Sequence, residues 1–224
     1  YPDAGGLGPD PVRIITGVED GVVESLMGRR LASGDINGDG RSDLLIGQHG
    51  FDGSPGTNHG AVRLFLGGPL EGPVRAYVSA ADADWTVSGP EGGDGFGYHV
   101  STGDFDADGI DDVILGAWGD EGMGEDDPSG SGAVHVFLGR PEDTPSQEVS
   151  FSAFGLGGGD QFGESASMLG DVDGDGLDDI LIGAFGNDDG GVSAGKAYIV
   201  LASSLASSST ISLADADFSF IGEN

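Results

Sequence analysis

Apolar positions along the chain fall in short runs broken by glycine, and no stretch keeps the 3.6-residue period of an amphipathic helix. Three runs are continuous: Leu44-Leu-Ile, Val113-Ile-Leu and Ile180-Leu-Ile, each followed by glycine. A short apolar run bounded by turn residues suits a strand covered on both faces. After each comes a glycine-led, partly alternating run: Ala61-Val-Arg-Leu-Phe, Ala133-Val-His-Val-Phe and Lys196-Ala-Tyr-Ile-Val. A weaker run closes each unit: Trp85-Thr-Val-Ser, Phe151-Ser-Ala-Phe and Phe218-Ser-Phe-Ile, with Arg13-Ile-Ile-Thr as one more copy near the start. A hydrophobe–glycine pair opens each unit, at Met27-Gly28, Phe96-Gly97 and Phe162-Gly163. The pattern therefore predicts four short strands per unit, A to D in chain order, with A beginning at the hydrophobe–glycine pair.

Between strands A and B lies a nine-residue acidic segment that repeats at Asp35–Asp43, Asp104–Asp112 and Asp171–Asp179, 69 and then 67 residues apart. Units of that length built from four antiparallel strands are the logic of propeller blades. The predicted fold is all-β: three four-stranded antiparallel blades plus one extra strand, a half or partial β-propeller. The predicted divisions are an N-terminal extension at 1–11, a first blade with its preceding strand at 12–89, a second at 90–155 and a third at 156–224. Propellers close with about 4–8 blades. Three blades leave apolar faces open, and self-association to complete a ring is the expectation.

Each acidic segment reads D-x-[DN]-x-D-G-x-x-D. Oxygen ligands at alternate positions of a curling loop suit a hard divalent cation, and calcium takes 6–8 of them. The predicted sets are Asp35, Asn37, Asp39, the Arg41 carbonyl and Asp43; Asp104, Asp106, Asp108, the Ile110 carbonyl and Asp112; and Asp171, Asp173, Asp175, the Leu177 carbonyl and Asp179. Three Ca²⁺ sites are expected, the first weaker because it has one carboxylate fewer. An EF-hand would need an acid at position 12, where Ile46, Leu115 and Ile182 stand. Asp and Gly are also ordinary turn residues. The same grammar three times, each directly before an apolar strand, favours the metal reading.

Composition narrows the choices. Eight Lys plus Arg against 39 Asp plus Glu give a net charge of −31, which argues against nucleic acid or an anionic membrane as partner. No Cys is present, so disulfides, thiolate metal sites and a Cys nucleophile are excluded. No apolar run is long enough to span a bilayer, so no membrane insertion is expected. Residues 1–11 lack the n- and h-regions of a leader, so any signal peptide is expected to have been removed.

These residues resemble the FG-GAP repeat of integrin α-subunit propellers. The "FG" is Phe96-Gly97 and Phe162-Gly163, the "GAP" portion is Gly116-Ala117-Trp118 and Gly183-Ala184-Phe185, and the acidic loop lies between them. Blade one departs, with Met27 for Phe and Gly47-Gln48-His49 for Gly-Ala-Pro. The resemblance covers about residues 12–222. It implies an extracellular or cell-surface propeller with calcium loops on its lower face and ligands on its upper face. The upper-face segments are then Gln48–His59, Gly119–Ser131, Gly186–Ala194, Gly89–Gly95 and Gly155–Gln161.

The expected function is non-enzymatic adhesion or binding of a protein or glycan ligand. A carbohydrate-binding or polysaccharide-enzyme-associated module, and a purely structural array on a surface protein, remain alternatives. Trp118 beside Asp120, Glu121, Glu125, Asp126 and Asp127 could stack on a ligand or simply pack at a blade edge. No nucleophile elbow, phosphate loop or dinucleotide fingerprint occurs. His49, His59, His99 and His135 have no zinc-like spacing. Ser203–Ser209 reads as a flexible connection between strands C and D.

Overall fold

The computed structural model describes residues 13–16, 26–52, 58–68, 76–120, 130–141, 143–206 and 208–223. The predicted extension at 1–11 and the acids Glu121, Glu125, Asp126 and Asp127 lie outside these residues.

Three four-stranded antiparallel units carry the predicted A–B–C–D order. In blade one, β2 (Leu31–Gly34), β3 (Asp43–Gln48), β4 (Ala61–Phe65) and β6 (Trp85–Ser88) form one sheet in that sequence. Blade two consists of β7 (Phe96–Gly103), β8 (Asp112–Ala117), β9 (Ala133–Phe137) and β10 (Phe151–Phe154). Blade three consists of β11 (Phe162–Gly170), β12 (Asp179–Ala184), β13 (Lys196–Val200) and β15 (Phe218–Ile221). β1 (Arg13–Thr16) is the predicted extra strand.

The blades pack face to face, and β8 shows why its sequence is apolar from Val113 to Ala117. Side chains alternate across a strand. Val113 and Leu115 therefore join Leu45, Val62, Leu64, Trp85 and Phe137 in the core between blades one and two. Ile114 instead joins Val134, Val136, Phe162, Ile180 and Ile182 in the core between blades two and three. All six residues of β8 are buried.

The two halves of the FG-GAP signature meet across each blade interface. Phe96 bridges Gly60 in parallel, and Phe162 bridges Gly132 the same way. Gly97 has φ +76°, and a Cβ there would meet the Ala61 carbonyl oxygen at 2.5 Å. A Cβ on Gly47 would in turn strike the Gly97 carbonyl oxygen; Gly163 and Gly116 repeat this pair at the second interface. Only glycine satisfies both the positive φ and the close backbone approach.

Sequence patterning missed one class of strand. β5 (Ala76–Ser79) lies between C and D of blade one and pairs parallel with β1. β14 (Thr210–Ser212) lies between C and D of blade three and pairs parallel with β10 of blade two. Each leaves its own blade to extend the sheet before it, adding a fifth strand to the sheet of blade two. The Ser203–Ser209 connection is accordingly more structured than a flexible loop. It opens with a short helix, α1 (Ala202–Ala206), whose Ala202 and Leu205 are buried against the second core.

Candidate functional site

The acidic loops join β2 to β3, β7 to β8 and β11 to β12, so all three occupy one end of the blades. Each loop curls around its own first carboxylate. The Asp35 carboxylate accepts the Asp39 and Gly40 amides at 3.0 and 2.8 Å. Asp104 accepts Gly109 N–H at 3.0 Å, and Asp171 accepts Asp175 and Gly176 N–H at 3.1 and 3.0 Å. The glycine at position 6 has φ +83°, +88° and +93° at Gly40, Gly109 and Gly176. A Cβ would meet nothing within 4 Å at any of them, so backbone conformation, not space, requires glycine there.

Three carboxylates converge in each of loops two and three, without Asp112 in the first group and without Asp175 in the second. Oxygens of Asp104, Asp106 and Asp108 lie within 4.8 Å of one another, as do those of Asp171, Asp173 and Asp179. Loop one has the amide of Asn37 in the corresponding set, and its Asp39 already pairs with the exposed Arg41 guanidinium at 3.3 Å. Asp104 Oδ1 is buried without a hydrogen bond from any described residue. An all-oxygen donor set with a buried, unpartnered carboxylate oxygen fits a hard cation such as calcium. The same crowding acts on protonation. Desolvation and the Asp108 and Asp104 charges push the Asp106 carboxyl up.

Each position-9 acid accepts two backbone amides. Asp43 accepts the Ile36 and Gly67 amides at 2.8 and 2.6 Å. Asp112 accepts the Phe105 and Gly139 amides at 2.7 and 2.8 Å. Asp179 accepts the Val172 and Ala202 amides at 2.9 and 3.0 Å. Each acid thus ties its loop to the end of strand C, a role the spacing did not reveal. All three are buried. Burial raises Asp43, and it pushes Asp112 to about 7 against the pull of its two amide donors.

At the opposite end, a cavity of about 230 Å³ is lined by Tyr98, Trp118, Gln161, Glu164 and Phe185. Four of the five follow a rule of position. Tyr98 and Glu164 come directly after the Phe-Gly pairs; Trp118 and Phe185 stand where the family has the proline of GAP. Tyr98 donates to Glu164 Oε1 at 3.3 Å, accepts from Arg29 and packs edge-on against Trp118 at 6.0 Å. His49, in the same position of blade one as Trp118, packs edge-on against Tyr98 at 5.1 Å. Trp118 thus lines a cavity as well as covering Gly95.

Two further histidines, His59 and His135, are held by structural hydrogen bonds. His59 Nδ1 bonds the Gly89 carbonyl at 3.1 Å. His135 lies between Ser152 Oγ at 2.9 Å and Asp120 at 3.8 Å. That last order superficially suits nucleophilic catalysis, but both His135 and Ser152 are buried in the sheet, where no substrate reaches.

The FG-GAP repeat pattern matches residues 27–65, 96–137 and 162–200, one match per blade. The chain is 33% identical over 194 residues to integrin alpha-5 of Xenopus laevis, covering 81% of this chain and 17% of that protein. It is 32% identical over 168 residues to human integrin alpha-IIb, covering 72% and 15%. It is 29% identical over 221 residues to phosphatidylinositol-glycan-specific phospholipase D of Dictyostelium discoideum, covering 89% and 22%. The chain therefore spans less than a quarter of the length of each of these relatives.

Proposed function

This chain belongs to the FG-GAP repeat family, and on that footing we propose that it is a calcium-stabilised part of a β-propeller that binds a protein ligand outside the cell and has no catalytic activity of its own. The observation that carries the reading is the division of the blades into two unlike ends. One end repeats the same acidic loop three times, and the other presents a cavity whose lining changes from blade to blade.

In this reading each loop holds one Ca²⁺ through its position-1, -3, -5 and -9 side chains and the position-7 carbonyl. Asp35, Asn37, Asp39, Asp43 and the Arg41 carbonyl form the weakest site. The cation offsets the repulsion among crowded carboxylates, so binding is coupled to folding. Affinities near 10⁻⁴–10⁻³ M, about the range of extracellular modules, suit an exterior rich in calcium. No helix among the described residues is long and apolar enough to cross a membrane.

The ligand side chain enters between Tyr98, Trp118 and Phe185. The open faces of the terminal blades are covered by another FG-GAP blade, supplied by a second copy or by further chain. The test is binding to a panel of extracellular matrix proteins and to a glycan array, in millimolar calcium and in chelator. Protein binding that needs calcium and is lost in Trp118→Ala supports the reading. Sugar binding without protein binding overturns it for a lectin-like module. The phospholipase D relative favours a second reading, an accessory propeller of an enzyme. Hydrolytic activity that requires this module joined to a partner domain would establish that instead.

A further inference from the structure

The loops are not independent of one another. The Asp111 side chain, at position 8 of loop two, accepts the backbone N–H of Asp35, the first residue of loop one, at 2.7 Å. The Asp111 amide returns a bond to the Asp35 carbonyl at 3.0 Å, and the Arg140 amide donates to the Ile36 carbonyl at 3.2 Å. The fit is close: a Cβ on Gly34 would meet Asp111 Oδ2 at 2.6 Å, and one on Gly38 would meet the Ile110 side chain at 3.1 Å. Ile36, at position 2 of loop one, is wholly buried. Asp111 is spare in the ligand grammar of its own loop, whose ligands are positions 1, 3, 5, 7 and 9. Its carboxylate therefore serves the neighbouring loop.

We propose that Asp111 is a positioning residue for the cation site of loop one: by holding the Asp35 amide it fixes the carboxylate that opens that site, so that blade two completes the metal site of blade one. The inference rests on the calcium reading above and adds a direction to it. Loop one is finished by the blade that follows. Loop two repeats the arrangement in part, with Phe105 buried at position 2 and packed in a cluster that includes Leu177 at position 7 of loop three. Loop three has no following blade here, and its position-2 residue, Val172, is 49% exposed. Outer-sphere partners of this kind are worth about 10–100-fold in metal affinity.

Three glycine amides report the sites separately, because Gly40, Gly109 and Gly176 each donate to the first carboxylate of their own loop. The experiment is a calcium titration of the chain followed by ¹H–¹⁵N NMR at these three amides, for wild type, Asp111→Ala and Asp111→Asn. The expected result is that Asp111→Ala moves the Gly40 midpoint about tenfold or more to higher calcium and leaves Gly109 and Gly176 in place. Asp111→Asn, which keeps an acceptor oxygen but no charge, stays within about threefold of wild type, well short of the loss of a whole outer-sphere partner. A Gly40 midpoint that does not move, or that moves together with Gly109, overturns the proposal and leaves the calcium reading standing. Loss of affinity in Asp111→Asn as large as in Asp111→Ala also overturns it, since charge alone would then be responsible. Wild-type amides that ignore calcium overturn the calcium reading and this inference with it.

Discussion

Blade one and blade three present the same side of the same four-stranded sheet, yet one side is a core and the other is a surface. In blade one, Leu45, Val62, Leu64, Trp85 and Val87 face blade two, and none is more than 8% exposed. The corresponding residues of blade three are Leu181, Ala197, Ile199, Phe218 and Phe220. There Phe218 and Phe220 are 52% and 58% exposed, and the whole of β15 lies open. Nothing in the residue types distinguishes the two faces. What differs is the Phe-Gly strand of a following blade, which covers blade one and is not among the described residues beside blade three. The lesson is that the repeat is built for its interfaces: residues of the same type are core or surface according to whether a neighbouring blade covers them.

The glycine of the hydrophobe–glycine pair offers the sharpest way to break the comparison. Gly163 has φ +82° and sits against the Ala133 backbone, whereas Gly28 has φ +88° with nothing within 4 Å of a Cβ. Gly163→Ala combines the left-handed strain with a clash against backbone that cannot move, and should cost about 4 kcal/mol. Gly28→Ala has the strain alone, about 1 kcal/mol. Thermal unfolding in calcium measures both. Equal losses would mean that the interface does not select the glycine.

The apolar faces themselves come next. Leu45→Ala removes a wholly buried side chain and should cost about 3 kcal/mol. Leu181→Ala, at the same position of the open face, should cost about 1 kcal/mol, because less apolar surface leaves water. Repeating both at high and low protein concentration turns the pair into an assay for the occupant of the open face. If a second copy covers blade three, Leu181→Ala becomes costly at high concentration only.

Most of the secondary structure was legible because both periods were local. A continuous apolar run marked the doubly covered strand B, and the hydrophobe–glycine pair marked the start of A. The acidic loops were legible for a different reason, since a nine-residue grammar seen three times exceeds what turn propensity explains. β5 and β14 were not legible. They are three or four residues long, and each pairs with a strand of another blade, so nothing near Ala76–Ser79 or Thr210–Ser212 signals its partner. The outward role of Asp111 was hidden in the same way. Asp111-Asp112 reads as one acidic pair, yet Asp112 turns into its own blade and Asp111 into the blade before it.

The position-9 acid of the middle blade gives a smaller and pH-dependent effect. Burial lets the folded state hold a proton on Asp112 up to about pH 7, while an unfolded Asp releases it near the ordinary 3.8. Between those values the folded chain binds more protons than the unfolded one, so stability of the calcium-free protein falls as pH rises from about 4 to about 7. Asp112→Asn should flatten that slope. Saturating calcium should reverse it, since the cation takes the place of the proton and favours the ionised carboxylate. Melting temperatures across this range, in chelator and in calcium, check the sign.

The least expensive change concerns how neighbouring blades are stitched together. Blade one sends β5 back to β1, and blade three sends β14 back to β10. The connection between β9 and β10 of blade two has no such strand among its described residues. It uses a side chain instead. The Gln147 amide reaches the D strand of blade one, where it can accept from Trp85 Nε1 at 2.8 Å and donate to the Thr86 carbonyl at 3.1 Å. A Gln amide reproduces the donor and acceptor of one peptide group, so Gln147 imitates a single residue of the missing parallel strand. Gln147→Ala should cost about 1 kcal/mol, the net worth of a typical pair of such bonds in a partly exposed place. Gln147→Glu keeps an acceptor for Trp85 but loses the donor to Thr86, and should lie closer to Ala than to wild type. Urea unfolding, with m unchanged, separates this local loss from a change in cooperativity. If Gln147→Ala instead unfolds blade two apart from blade one, the side chain carries as much of that junction as a strand does at the other two.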